Sequence, residues 1–422
     1  MRIILELCGI AYQEKFCYIT GRGGEKVIKK IITLLLVTAL SVVAGFSTAA
    51  ATPQQNNIRK IIVVDEQVLN QKSLSGLVKQ SGGEYIKPLP LISGAAVVLP
   101  DQASLHVLRN TPGIVRISDD IVLQALPAAD TKVRGKKVTQ PAEELPWGVD
   151  RIDAELVWPG GITGTNVKAA FIDTGVDKDH PDLKDNLKGG ILTINTGLYA
   201  RKDPAKGWED DNGHGTHVAG IIAAADNTIG VIGVGPTVSL YAVKALDKNG
   251  SGYLSDVIEG IDWCIQNDMN VVNMSLGTST DHPDLYAAVQ RAYKAGIVIA
   301  AAAGNDGPSD NTVLYPAKYP ETIAVAATNK SDELTSWSSR GTEVDLAAPG
   351  DSIYSTYKGD TYATMSGTSM AAPHVAGTVA LYLAKYGLAS PDYVREHLIQ
   401  TTESLSASPY PLVDAYQAVA SQ

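Results

Sequence analysis

From residue 145 onward the chain alternates short, almost wholly apolar runs with stretches at helical spacing, and few folds accept that alternation. The runs at 167–172, 240–243, 271–274, 297–303 and 322–327 are too short for helices and too uniformly apolar for strands with one wet face. Residues 257–266 and 285–295 between them have helical spacing. Strands buried on both faces need helices on both faces. The expectation is an α/β fold, a three-layer α/β/α domain with a mainly parallel sheet.

Open sheets of this kind hold ligands beyond the carboxyl ends of their strands. Asp173, in Phe171-Ile172-Asp173-Thr174-Gly175, stands at one such end, and Asn305, after Ala302-Ala303-Gly304, at another. Asn212-Gly213-His214-Gly215-Thr216-His217 opens a helical stretch at 214–224. Gly367-Thr368-Ser369-Met370-Ala371-Ala372-Pro373-His374 opens another, which puts Ser369 at or next to a helix N-terminus, where developing negative charge is favoured. Singly, each has a plain structural reading: Ser369 a cap, Asp173 and Asn305 turn residues, His217 and His374 packing groups. Together they supply a nucleophile, a base, an acid and an amide donor. Asp173-Thr174-Gly175 also matches an aspartic-protease signature, but no second copy supplies the partner carboxylate. His214 and His217 lack the companion residues of a zinc motif.

The blocks around Asp173, His214 and Ser369, in that order, resemble those of the subtilisin-like serine proteases. The resemblance implies an Asp173–His214–Ser369 triad, with Asn305 and the Ser369 amide as oxyanion hole. It implies two backbone strips, Gly250-Ser251-Gly252 and Ser275-Leu276-Gly277, that hold an extended peptide as an added strand. Leu314 falls at the primary pocket, where several relatives carry a small residue, and implies a shallower apolar pocket. The segment 225–231 resembles the family's calcium loop. Carried over, it gives the Asn227 side chain, the carbonyls of Ala225, Ile229 and Val231, the Asp182 carboxylate and Glu143 as ligands for Ca²⁺. A second, weaker cation site is expected near Ala317, Tyr319 and Asp345.

Lys29-Lys30, an apolar core at 31–46 and small residues ending at Ala51 read as a secretory signal within a presequence, 1–51. Residues 52–126 read as a ferredoxin-like α+β unit resembling the propeptide of secreted subtilisins, which implies a folding aid and inhibitor. Residues 127–144 read as an exposed linker with the processing site, and 145–422 as the catalytic domain. A net charge of −10 argues against a nucleic-acid partner. Cys8 and Cys17 lie ahead of the signal, so only Cys264, a buried apolar residue on a helix, survives export and no disulfide forms. The whole reads as a secreted, monomeric, self-processing serine endopeptidase without a membrane anchor. The other class considered, a silent binding protein on the same scaffold, would lack one of the four site residues.

Overall fold

A computed structural model describes residues 57–126, 132–134 and 140–421. The presequence with its apolar core, and parts of the 127–144 linker, lie outside the described residues.

The N-terminal module runs β1 (Ile58–Val64), α1 (Gln71–Gln80), β2 (Glu84–Leu89), β3 (Gly94–Leu99), α2 (Gln102–Arg109) and β4 (Ile114–Asp119). Its antiparallel sheet has the order β2-β3-β1-β4. Asn70 and Asp101 cap the two helices. Ile62, Val64, Ala95 and Val97 pack one sheet face onto Leu74, Val78, Leu105 and Leu108. Ile61, Val63 and Ala96 turn the other way, into the core of the larger domain. The sequence reading lacked β2, because Lys87 and Pro88 interrupt its apolar pattern. Residues 121–123 also fall within the stretch read as this one unit, 52–126. β5 (Val122–Ala125) instead leaves that sheet and enters a different one. Within the stretch read as linker, β6 (Lys132–Arg134) forms an edge strand.

The larger domain continues α3 (Trp147–Arg151), β7 (Lys168–Asp173), β8 (Leu187–Leu192), α4 (His214–Ala223), β9 (Ser239–Lys244), β10 (Ser251–Tyr253) and α5 (Leu254–Gln266). Next come β11 (Val271–Met274), β12 (Leu276–Gly277), α6 (Pro283–Lys294), β13 (Val298–Ala302), β14 (Ile323–Thr328) and β15 (Leu346–Pro349). The hairpin β16 (Ile353–Tyr357) and β17 (Thr361–Met365) and helices α7 (Thr368–Tyr386), α8 (Pro391–Gln400) and α9 (Ala415–Ala420) complete it. Seven strands form one parallel sheet, β15-β14-β13-β11-β7-β9-β8.

The strand period of two divides the sheet between two cores. Ala169, Phe171, Ala300 and Ala302 face α4 and α7, while Ala170, Ile172, Ile299 and Ala301 face α5 and α6. This is the three-layer arrangement that the apolar runs require. Edge strand β8 escaped the sequence reading because its centre is Gly189-Gly190. A β-carbon at Gly190 would press 2.8 Å from the Trp208 ring, so the glycine is needed for close approach. Cys264 is free and buried, and burial pushes its thiol pKa up. Among the described residues, no helix is long and apolar enough to cross a membrane.

Candidate active site

Asp173 ends β7, at the carboxyl edge of the sheet, and His214 is the first residue of α4. Both are buried. His214 Nδ1 lies 2.8 Å from Asp173 Oδ1 and 3.0 Å from Oδ2. Burial disfavours the charged imidazole, but Asp173, by charge and hydrogen bond, and Asp210, by charge, outweigh it and hold the His214 pKa above its ordinary value. Asp210 anchors the turn before α4. Its carboxylate accepts from the Asn212, Gly213 and Thr216 amides and from the Thr174 and Thr216 hydroxyls, so it joins the Asp173 and His214 segments.

Ser369 is the second residue of α7. Gly367 precedes the helix and makes no side-chain cap bond, so Ser369 is not there as a cap. Pro373, four residues on, has no N–H to give the Ser369 carbonyl. The Ser275 hydroxyl supplies the missing donor at 2.8 Å. Ser369 Oγ donates to the carbonyls of Ser275, at 3.1 Å, and Leu126, at 3.3 Å. The expected serine–histidine hydrogen bond is therefore not made in this conformation, and His214 Nε2 is buried with no partner among the described residues.

Asn305 follows β13, and its Oδ1 accepts from the Thr368 amide and hydroxyl, both at 3.0 Å. That leaves the amide nitrogen as the end facing the serine. A β-carbon placed on Gly367 would lie 3.4 Å from Asn305 Nδ2, 3.7 Å from Ser369 N and 3.9 Å from the Leu126 oxygen. Two N–H donors and a peptide carbonyl thus converge on one spot. The role of Thr368 in orienting Asn305 was not legible in the sequence.

The two backbone strips do hold a strand. β5 lies between β10 and β12, antiparallel to both, with Leu123 opposite Gly252 and Leu276 opposite Ala125. The Ala125 amide donates to the Gly250 carbonyl at 2.7 Å. Leu314 packs against both Gly277 and Gly304, with 3.1 Å left for a β-carbon on Gly277 and 2.8 Å for one on Gly304. The other histidines are structural in position. His217 Nε2 donates to the Ile353 and Ala363 carbonyls, and burial pushes its pKa down to about 3. His374 bonds the Met370 carbonyl and burial lowers it to about 4.

The residues carried over for calcium gather at one loop. Asp182 is buried, and it accepts from Asn227 Nδ2 and the Val231 amide, both at 2.9 Å. Glu143 Oε1 accepts from the Asn227 amide at 2.7 Å, and residues 142 and 144 bridge to Ile229 and Val231. Among the described residues Asp182 has no basic ion-pair partner, and burial pushes its pKa up to about 7. Gly230 has φ +67°, and a side chain there would collide with the Asp182 carboxylate and the Tyr362 hydroxyl. A buried carboxylate without a counter-charge, among carbonyl and amide oxygens, fits a hard cation. Among the described residues, no group of three or more His, Cys, Asp or Glu side chains gathers as a metal cluster. The second site fares differently: the Asp345 carboxylate is taken by Arg395 and the Ala324 amide.

A serine poised under an amide-lined spot, with a buried His–Asp pair at the same sheet edge, defines a serine hydrolase that takes extended peptides. The profile of the "Subtilase family" matches residues 164–417, and the chain belongs to that family. It is 41% identical over 386 residues to Subtilisin E of Bacillus subtilis, covering 90% of this chain and 95% of that one. It is 49% identical over 271 residues to the subtilisin of Bacillus pumilus, 64% of this chain and 95% of that one. It is 38% identical over 354 residues to the minor extracellular protease Epr of Bacillus subtilis, 83% of this chain and 52% of that one. The chain is a serine endopeptidase acting on peptide substrates.

Proposed function

We propose that the chain is a secreted, self-processing precursor whose peptidase works through an acyl-enzyme on Ser369. The observation that carries this reading is the seating of β5, with the Leu126 carbonyl 3.3 Å from Ser369 Oγ. Side-chain rotation moves the Ser369 hydroxyl from the Ser275 carbonyl to His214 Nε2. The histidine takes the proton as Oγ attacks the carbonyl carbon, and Asp173 stabilises the resulting imidazolium. Asn305 Nδ2 and the Ser369 amide receive the oxyanion. His214 then returns the proton to the leaving amine, and water releases the acyl group by the reverse sequence.

In this reading residues 52–126 are a propeptide that occupies the cleft as a bound peptide would. Leu126 takes the place of the residue before the cut. Pro127 follows it, and a prolyl nitrogen resists that cut, so the processing cut falls further along 127–144. The presequence 1–51 directs export, in keeping with the likeness to the minor extracellular protease Epr. Asp182, Glu143, Asn227 and the carbonyls of Ala225, Ile229 and Val231 would hold calcium. The ion would neutralise the buried carboxylate and tie the end of the linker to the domain. Mass spectrometry of culture medium tests the reading. The parent gives a mature N-terminus within 127–144, and Ser369→Ala gives only uncut precursor. A Ser369→Ala chain processed as the parent is, in a host free of other proteases, would refute self-cleavage.

A further inference from the structure

Residues 193–207, between β8 and the turn before α4, form a loop with its own small core of Leu192, Ile194 and Tyr199. It is fixed in place. The Tyr199 hydroxyl donates to Asp211 at 2.7 Å and accepts from the Lys248 amide at 3.0 Å. The Thr193 amide bonds the Lys244 carbonyl. The loop stands across from β10 and encloses a cavity of about 300 Å³. Ile194, Leu198 and Tyr199 line one side, and Ser251 and Tyr253 the other. Val122 of β5 lines it as well.

In the register that puts Leu126 before the cut, Val122 is the fifth residue upstream. It pairs with Tyr253, while the next residue, Leu123, turns down into the core with no exposure. Strand alternation therefore sends fourth and fifth side chains to opposite faces. The acids near this space are already engaged, and Lys248, the lysine of the lining, is solvent-exposed. Asp247 accepts from the Asn249 and Ser251 amides, and Asp256 pairs with Lys87. What remains to meet an incoming side chain is largely apolar, and Leu198, 78% exposed, is held out at the loop tip.

The geometry points to a fifth substrate subsite, built by the loop at 194–199, that takes a large apolar side chain five residues before the scissile bond. Val122 is 45% exposed with space still beside it, so leucine or phenylalanine fills the site better than valine does. The inference rests on the peptide register proposed above. It makes the loop a specificity element that acts through binding, remote from the reacting bond.

The test uses the processed enzyme and internally quenched peptides identical except at the fifth upstream residue. Leucine over alanine should raise kcat/KM about tenfold, the effect of half-burying a leucine side chain. The gain should lie mainly in KM. In Leu198→Ser that ratio should fall to within about twofold, while peptides ending at the fourth upstream residue are cut at the parent rate. Peptides cut equally whatever the fifth residue, or a preference untouched by Leu198→Ser, would overturn the subsite and leave the peptidase reading intact. Failure to cut any peptide would sink the register and the subsite with it.

Discussion

Lys87 is the most informative single residue of the contact between the N-terminal module and the peptidase. Its ammonium is buried, paired with Asp256, 2.6 Å from Glu259 and 2.5 Å from the Thr193 carbonyl. The Asp256 side chain is 1% exposed, and burial pushes its pKa up to about 6 even with Lys87 beside it. Lys87→Met keeps most of the stem and removes the charge. Breaking a buried pair this way costs about 3–5 kcal/mol, because the remaining charge has no partner. Glu259 adds little, since it is 38% exposed and rehydrates. The carboxylate can escape by protonation. The ceiling is about 1.4 kcal/mol per pH unit above its solvated pKa near 3.9, or about 3 kcal/mol at pH 6. The module should therefore lift from the peptidase about 10²–10⁴ times more often at pH 8, and by the smaller factor at pH 6. The assay is hydrogen exchange in the uncut Ser369→Ala chain. The probes are the Ala125 amide, bonded to Gly250, and the Ser255 amide, bonded to Asp120 at 2.8 Å. Lys72→Met, an exposed lysine on the same module, is the control. Equal protection in both variants would refute the reasoning. So would an Asp256→Leu partner change that makes Lys87→Met worse, since it should restore part of the loss.

Three further outcomes follow from the site. Asp173→Asn removes the strongest influence raising the His214 pKa, so burial prevails; an NMR titration should move it from above 6.5 to below, with turnover falling about 10⁴-fold, the loss known for this change in serine proteases. Ser275→Ala leaves the buried Ser369 carbonyl without a donor, because Pro373 offers none; urea denaturation should show a loss of about 1–3 kcal/mol. Chelation of calcium should lower the stability of the Ser369→Ala chain by about 2.7 kcal/mol when the free ion had been 100 times its Kd, and Gly230→Ala should abolish that difference.

The parallel sheet was legible because strands covered on both faces leave an apolar run that little else produces, as in β13. The edge strand β8 was not, since only Leu192 of its residues is buried and two are glycine. β2 hid behind Lys87 and Pro88, a lysine whose burial depends on acids about 170 residues away. The hairpin β16–β17 has the β-branched and aromatic residues of strands, but its serines and threonines leave no apolar run to mark it. At the site, motif blocks named Asp173, His214, Ser369 and Asn305, because each sits where an element begins or ends. Their supports were invisible. Ser275 answers a defect created by a proline in another element, and Thr368 orients Asn305 from 63 residues further along the chain. Arg395 claims Asp345, a carboxylate that local sequence offers to a cation. Such pairings are made by folding and leave no periodic trace.

The central claim is that Ser369 is the nucleophile and His214 its base. Reaction of the processed enzyme with a fluorophosphonate, followed by peptide mass spectrometry, tests it most directly. The account predicts one adduct, on Ser369, formed quickly by the parent and at least about 10³ times more slowly by His214→Ala. An adduct on another residue, or labelling of Ser369 at the same rate without the imidazole, would contradict it.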